Sequence, residues 1–77
     1  RIDRAEDVLR GLGLGQLRVR HHDSLARIEV APEAIATVLA HREEIVAGLK
    51  AAGYVYVTLD LQGFRSGSSN EALTRHE

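Results

Sequence analysis

Three features of the 77-residue sequence predict a small α+β domain in the order α-β-β-α-β, with two helices on one face of a three-stranded sheet. Apolar residues recur at helical spacing in two segments, and they alternate with polar residues in three others. Glycine, proline or a short polar run stands between most of these segments.

The first helix rests on Ile2, Ala5, Val8, Leu9 and Leu12, with Asp3-Arg4-Ala5-Glu6 readable as a capping box and an end near Gly11. Gly11-Leu12-Gly13-Leu14-Gly15 then supplies residues tolerant of positive φ, as a helix C-cap and turn require. A dinucleotide-binding loop is disfavoured, because such a loop follows a strand and opens a helix, and this one has the reverse order. Leu17-Arg18-Val19-Arg20 alternates, as do Ala26, Ile28 and Val30 against Leu25, Arg27 and Glu29, which gives two half-buried strands. The polar run His21-His22-Asp23-Ser24 between them reads as a hairpin turn.

Pro32 suits the first turn of a second helix, whose apolar stripe is Ile35, Val38, Leu39, Val46 and Leu49 and which ends at Gly53. Residues 54–61 alternate again and form the third strand, with Val55, Val57, Leu59 and Leu61 on one face and Tyr54, Tyr56, Thr58 and Asp60 on the other. The first strand is expected at the centre of the sheet, flanked by the second and third. The chain then runs into the polar stretch Gly63-Phe64-Arg65-Ser66-Gly67-Ser68-Ser69-Asn70, and Glu71 to Leu73 can begin a last helical turn.

Composition removes several classes of function. Ten basic residues against eleven acidic ones leave a net charge of −1, so no general affinity for nucleic acid is expected. With no cysteine, these residues offer no disulfide, thiolate metal site or thiol nucleophile, and no apolar run approaches the ~20 residues of a membrane span. A soluble, cytoplasmic protein is expected. The chain opens on Arg1 and enters an amphipathic pattern at once, so it reads as one domain, residues 1–77, of a longer protein.

If both helices cover one sheet face, the other carries Arg18, Arg20, Arg27, Glu29, Tyr54, Tyr56 and Asp60, which suits a docking or ligand-facing surface. Arg18 and Arg20 point the same way, about 6 to 7 Å apart along the strand. Two guanidinium forks at that spacing can grip a phosphate or carboxylate, or can pair with Glu29 or Asp60 across the sheet. Arg65-Ser66-Gly67-Ser68 combines a fork, two hydroxyls and a glycine, as anion-binding nests do, and is equally readable as a connector. Glu6 and Glu29 are candidate acids, metal ligands or charge partners. Adjacent His21 and His22 point to opposite faces and make a poor chelate, and His41 among Arg42, Glu43 and Glu44 reads as solvated.

Taken in order, Leu17-Arg18-Val19-Arg20, Ala26-Arg27-Ile28-Glu29-Val30, Tyr56-Val57-Thr58-Leu59-Asp60-Leu61 and Gly63-Phe64-Arg65-Ser66-Gly67-Ser68 resemble the C-terminal region of the LarE-type sulfur transferases. That family helps to make the nickel-pincer nucleotide cofactor of lactate racemase. The resemblance covers nearly the whole chain. It implies a C-terminal substrate-binding and oligomerisation domain, whose partner is its own N-terminal PP-loop domain. There ATP and magnesium adenylate a carboxylate of a pyridinium biscarboxylate mononucleotide, and sulfur then replaces oxygen. In the family the sulfur comes from a sacrificial cysteine or from sulfide on an iron–sulfur cluster. Neither a PP-loop nor a cysteine occurs in these residues, so the segment by itself is expected to be inactive.

Residue by residue, the resemblance assigns Arg18 and Arg20 to the substrate or nucleotide phosphate, while Arg65, Ser66 and Ser68 are candidate substrate contacts on their nest-like composition alone. It associates Glu6 and Glu29 with metal, Glu29 at a subunit contact, and implies a homo-oligomer. The chain departs from the commonest family form at Ser69, where a methionine is usual. The competing reading is a non-catalytic oligomerisation or ligand-sensing module, which the small size, α+β pattern and polar sheet face also permit.

Overall fold

A computed structural model describes residues 2–64 of the chain. Helix α1 (Ile2–Arg10) leads through the glycine-rich turn into strand β1 (Leu17–His22) and strand β2 (Leu25–Val30). A 3-10 turn (Pro32–Ala34) then opens helices α2 (Ile35–Ala40) and α3 (Arg42–Ala51), and strand β3 (Tyr56–Leu59) follows. The α+β class holds, with the helices gathered on the apolar face of a three-stranded mixed sheet.

The strand order is β1-β2-β3, so β2 and not β1 is central. β1 and β2 are antiparallel through the two-residue turn Asp23-Ser24, and β2 and β3 are parallel. Two features send β3 to the β2 side. The helical crossover from β2 returns a parallel strand to its own neighbour. The other side of β1 is occupied by α1, where Glu6 Oε2 accepts the Val19 amide at 3.4 Å. Asp23 takes the positive φ of 53° that the turn demands, a conformation Asp tolerates because its short side chain can satisfy local backbone groups. The turn is narrower than the sequence suggests, since His21 and His22 extend β1.

Ala5 and Leu9 of α1, Leu14, Val19, Ala26, Ile28 and Val30 of the sheet side, and Val38, Ile45, Leu49 and Tyr54 form one core. Helices α1 and α3 meet at Gly48, where a Cβ would lie 2.8 Å from a Val8 methyl, so only glycine permits this approach. Helix α1 already includes Ile2, so Asp3 lies within its first turn.

The second helix expected from the sequence is instead broken at His41, whose φ and ψ of −110° and 25° interrupt the turn. The His41 amide donates to the carbonyls of Thr37 and Val38, and its Nδ1 lies 3.0 Å from the Thr37 oxygen. His41 is therefore half-buried at a helix junction and not simply solvated. Val38, Ile45 and Leu49, which share one face at helical spacing, are buried, while Leu39 and Val46 face outward.

Helix α3 closes in a Schellman arrangement, with Gly53 at φ 111°, its amide on the Lys50 carbonyl and the Tyr54 amide on the Leu49 carbonyl. Tyr54 and Leu49 are both buried at this cap. Because Tyr54 belongs to the cap, it leaves the strand alternation and sits in the core, not on the polar face with Tyr56. β3 is correspondingly shorter than residues 54–61, and Val55 and Leu61 beside it are exposed.

Candidate functional site

The polar face of the sheet follows from strand alternation. In the β1–β2 register Arg18 is opposite Glu29 and Arg20 is opposite Arg27, while β3 sets Thr58 beside Arg27. Residues directly opposite in adjacent strands share a face, so Arg18, Arg20, Arg27, Glu29 and Thr58 all project away from the helices.

Glu29 is the centre of this face. It is only 6% exposed, yet it is charged and well satisfied. Arg20 Nε donates to its Oε1 at 3.4 Å, and Arg27 Nη2 donates to its Oε2 at 2.9 Å. Arg27 Nε also lies 3.9 Å from Asp60 Oδ2. Thr58 shields the sheet beside them by donating to the Ala26 carbonyl at 2.9 Å. Burial of a carboxylate costs free energy unless such donors compensate it, and two guanidinium groups do so here.

The arginine pair expected from the sequence is brought onto one face but not used alike. Arg20 is anchored by Glu29, whereas Arg18 forms no ion pair among the described residues and its guanidinium sits 5.5 Å from the centroid of the Phe64 ring. Phe64 reaches that position because its amide donates to the Val30 carbonyl after Gly63, whose φ of 83° turns the chain back toward β2. Gly63 also packs where a Cβ would lie 2.8 Å from the same carbonyl. A cation over an aromatic face is held loosely enough to be recruited by an anion.

Glu6 lies apart from Glu29. Its carboxylate accepts Arg10 Nη2 at 3.0 Å and the Val19 amide, joining α1 to the outer edge of β1. Among the described residues no three His, Cys, Asp or Glu side chains cluster as metal ligands. Both Glu29 oxygens are taken by guanidinium groups, so the described residues of one chain do not fit a divalent cation there; it would need further carboxylates and displacement of the arginines. Arg65, Ser66 and Ser68 lie outside the described residues.

Two features escaped the sequence pattern. His21 and the buried Tyr54 meet with ring centroids 5.5 Å apart, and His21 Nδ1 lies 3.4 Å from the Tyr54 hydroxyl. At the hairpin end of the polar face, Arg20, His21, His22, Leu25 and Arg27 line an open recess of about 480 Å³. The alternation of β2 pointed to Arg27 as a surface residue, but its alignment opposite Arg20 depends on the register. Among the described residues no helix is long and apolar enough to cross a membrane.

No family model matches the chain. Over 77 residues it is 46% identical to an uncharacterized protein of Synechocystis, a match that covers 97% of this chain and 29% of that protein. Over 71 residues it is 45% identical to pyridinium-3,5-bisthiocarboxylic acid mononucleotide synthase of Lactiplantibacillus plantarum, covering 92% of this chain and 26% of the synthase. The chain is thus related to a segment of that synthase, and it spans between a quarter and a third of the length of the curated relatives it matches.

Proposed function

We propose that this chain is the C-terminal substrate-binding and oligomerisation domain of an ATP-dependent sulfur transferase acting on pyridinium-3,5-biscarboxylic acid mononucleotide in nickel-pincer cofactor biosynthesis. The observation that carries the reading is the 45% identity over 71 residues to a synthase named for the bisthiocarboxylic product. The residue chemistry is consistent with binding in place of bond-making. With no cysteine the chain has no thiol to give up sulfur, whereas its polar face presents three arginines.

In this reading a PP-loop domain elsewhere in the protein holds ATP and magnesium and activates the substrate carboxylate. Arg18 and Arg20 hold the phosphate end of the mononucleotide, with Arg65, Ser66 and Ser68 as additional donors. The guanidinium plane favours this task because it offers paired N–H groups to paired oxygens. Self-association belongs to the same proposal: among the described residues β3 leaves one sheet edge unpaired, and exposed Val55, Tyr56 and Leu61 lie along or beside it. A cytoplasmic location accompanies the use of ATP.

The test is a chimera in which this chain replaces the matching segment of the Lactiplantibacillus plantarum synthase. The chimera is expected to form the thiolated mononucleotide, and Arg18→Ala or Arg20→Ala within it to weaken substrate binding by roughly 1 to 3 kcal/mol, the range for charge-assisted hydrogen bonds. A folded chimera that binds ATP yet neither binds substrate nor forms product overturns the proposal.

A further inference from the structure

Arg20 and Arg27 stand directly opposite each other on adjacent antiparallel strands. The Val19 amide points outward to Glu6, so the Arg20–Arg27 pair is the hydrogen-bonded kind, with Cα atoms about 5.5 Å apart. Like charges in that relation repel. Glu29 faces both guanidinium groups and Asp60 lies 3.9 Å from Arg27, so carboxylates offset the repulsion within this pair and the excess charge of the face comes from Arg18. Over the whole face three arginines, Arg18, Arg20 and Arg27, stand against Glu29 and Asp60, a balance of +3 − 2 = +1 before any ligand arrives.

The donors still available converge on the recess. Arg20 spends Nε on Glu29, and its two terminal nitrogens have no acceptor among the described residues. Arg27 spends Nη2 on Glu29 and directs Nε toward Asp60, which leaves Nη1. Both side chains are about half exposed while the Glu29 side chain is 8% exposed, so the anchor is buried and the free ends reach solvent. The same two arginines line the open recess beside His22, whose ring supplies a third polar group. An oxyanion seated there accepts from both forks.

We propose that Arg20 and Arg27 form an oxyanion clamp for a phosphate monoester, with Glu29 as the positioning residue that aims both guanidinium groups. The assignment adds Arg27 to the binding residues and rests on the reading of this face as the substrate surface. A phosphate dianion suits the clamp better than a carboxylate because its oxygens are spread tetrahedrally and can meet two forks from different strands at once.

Calorimetric titration of the full-length protein with inorganic phosphate, under saturating ATP so that any nucleotide pocket is filled, tests the clamp. Pyridine-3,5-dicarboxylate is titrated in parallel to separate phosphate from carboxylate recognition. Arg27→Gln is expected to weaken phosphate about ten-fold or more with little effect on the dicarboxylate. Because Arg27→Gln also uncovers Glu29, Arg27→Lys is measured beside it: a variant with the wild-type thermal midpoint and a several-fold weaker phosphate affinity supports the fork. Unchanged phosphate affinity in both variants overturns the clamp, as does a loss confined to the dicarboxylate. If phosphate binding then falls only with Arg18→Gln, the clamp fails while the substrate-surface reading stands. If no arginine variant affects either probe or product formation, both fail.

Discussion

The two faces of β2 are built from alternate residues of one six-residue strand and obey different rules. Ala26, Ile28 and Val30 are essentially sealed in the core, whereas Arg27 and Glu29 between them pair with each other, with Arg20 of β1 and with Asp60 just beyond β3. On the first face contacts are non-directional and stability scales with area removed from water. On the second the position of each charge depends on which residue lies across the register. The apolar face therefore sets whether the domain folds, and the polar face what it presents.

That contrast is broken most strongly from the core. Leu49→Ala removes a side chain of zero exposure between α1, the sheet and the α3 cap, and is expected to cost about 2 to 5 kcal/mol by urea unfolding. In a domain this small such a loss consumes much of the total stability. A cost under about 1 kcal/mol would mean that the core collapses around the gap and is less closely packed than its burial indicates.

Glu29→Gln sharpens the comparison, because Glu29 belongs to the polar face yet is nearly as buried as the core. Glutamine keeps the shape and can accept one hydrogen bond, but it leaves the Arg20 and Arg27 charges facing each other. With both arginines half exposed and solvated, the expected cost is about 1 to 2 kcal/mol, relieved in part by added salt, which screens the repulsion. A loss that salt leaves unchanged would assign Glu29 to packing instead of charge.

The smallest effect is expected at Arg18. It is exposed and touches Phe64 without a carboxylate partner among the described residues, so Arg18→Ala is expected to alter stability by no more than about 0.5 to 1 kcal/mol. Chemical denaturation of this variant beside Leu49→Ala gives the two ends of the scale. A large loss at Arg18 would make the polar face structural.

Much of the architecture could be read from period alone. The alternation in β1 and β2, the helical spacing of Ala5 and Leu9, and the glycine stop at Gly53 are each local physical facts, and each element was found near its expected place. The errors cluster where local pattern competes with a tertiary demand. Tyr54 continues the strand alternation on paper, but the Schellman cap of α3 turns it into the core. Leu39 and Val46 fit a stripe on paper, but the core takes the face carrying Val38, Ile45 and Leu49 at the same helical period and leaves them outside.

The candidate site divides in the same way. The sequence by itself determined that Arg18 and Arg20 share a face and that Arg27 and Glu29 share one, because successive side chains in a strand alternate and nothing distant can change that period. Only the tertiary structure decided that Arg20 stands opposite Arg27, that Glu29 serves both, and that Arg18 rests on Phe64. Strand order belongs to this second group as well: β2 is central because α1 occupies the outer side of β1 and the helical crossover returns β3 to the β2 edge. Periodicity is a property of one segment, whereas register and order are relations between segments, settled by the packing that buries the most apolar surface while leaving the backbone donors paired.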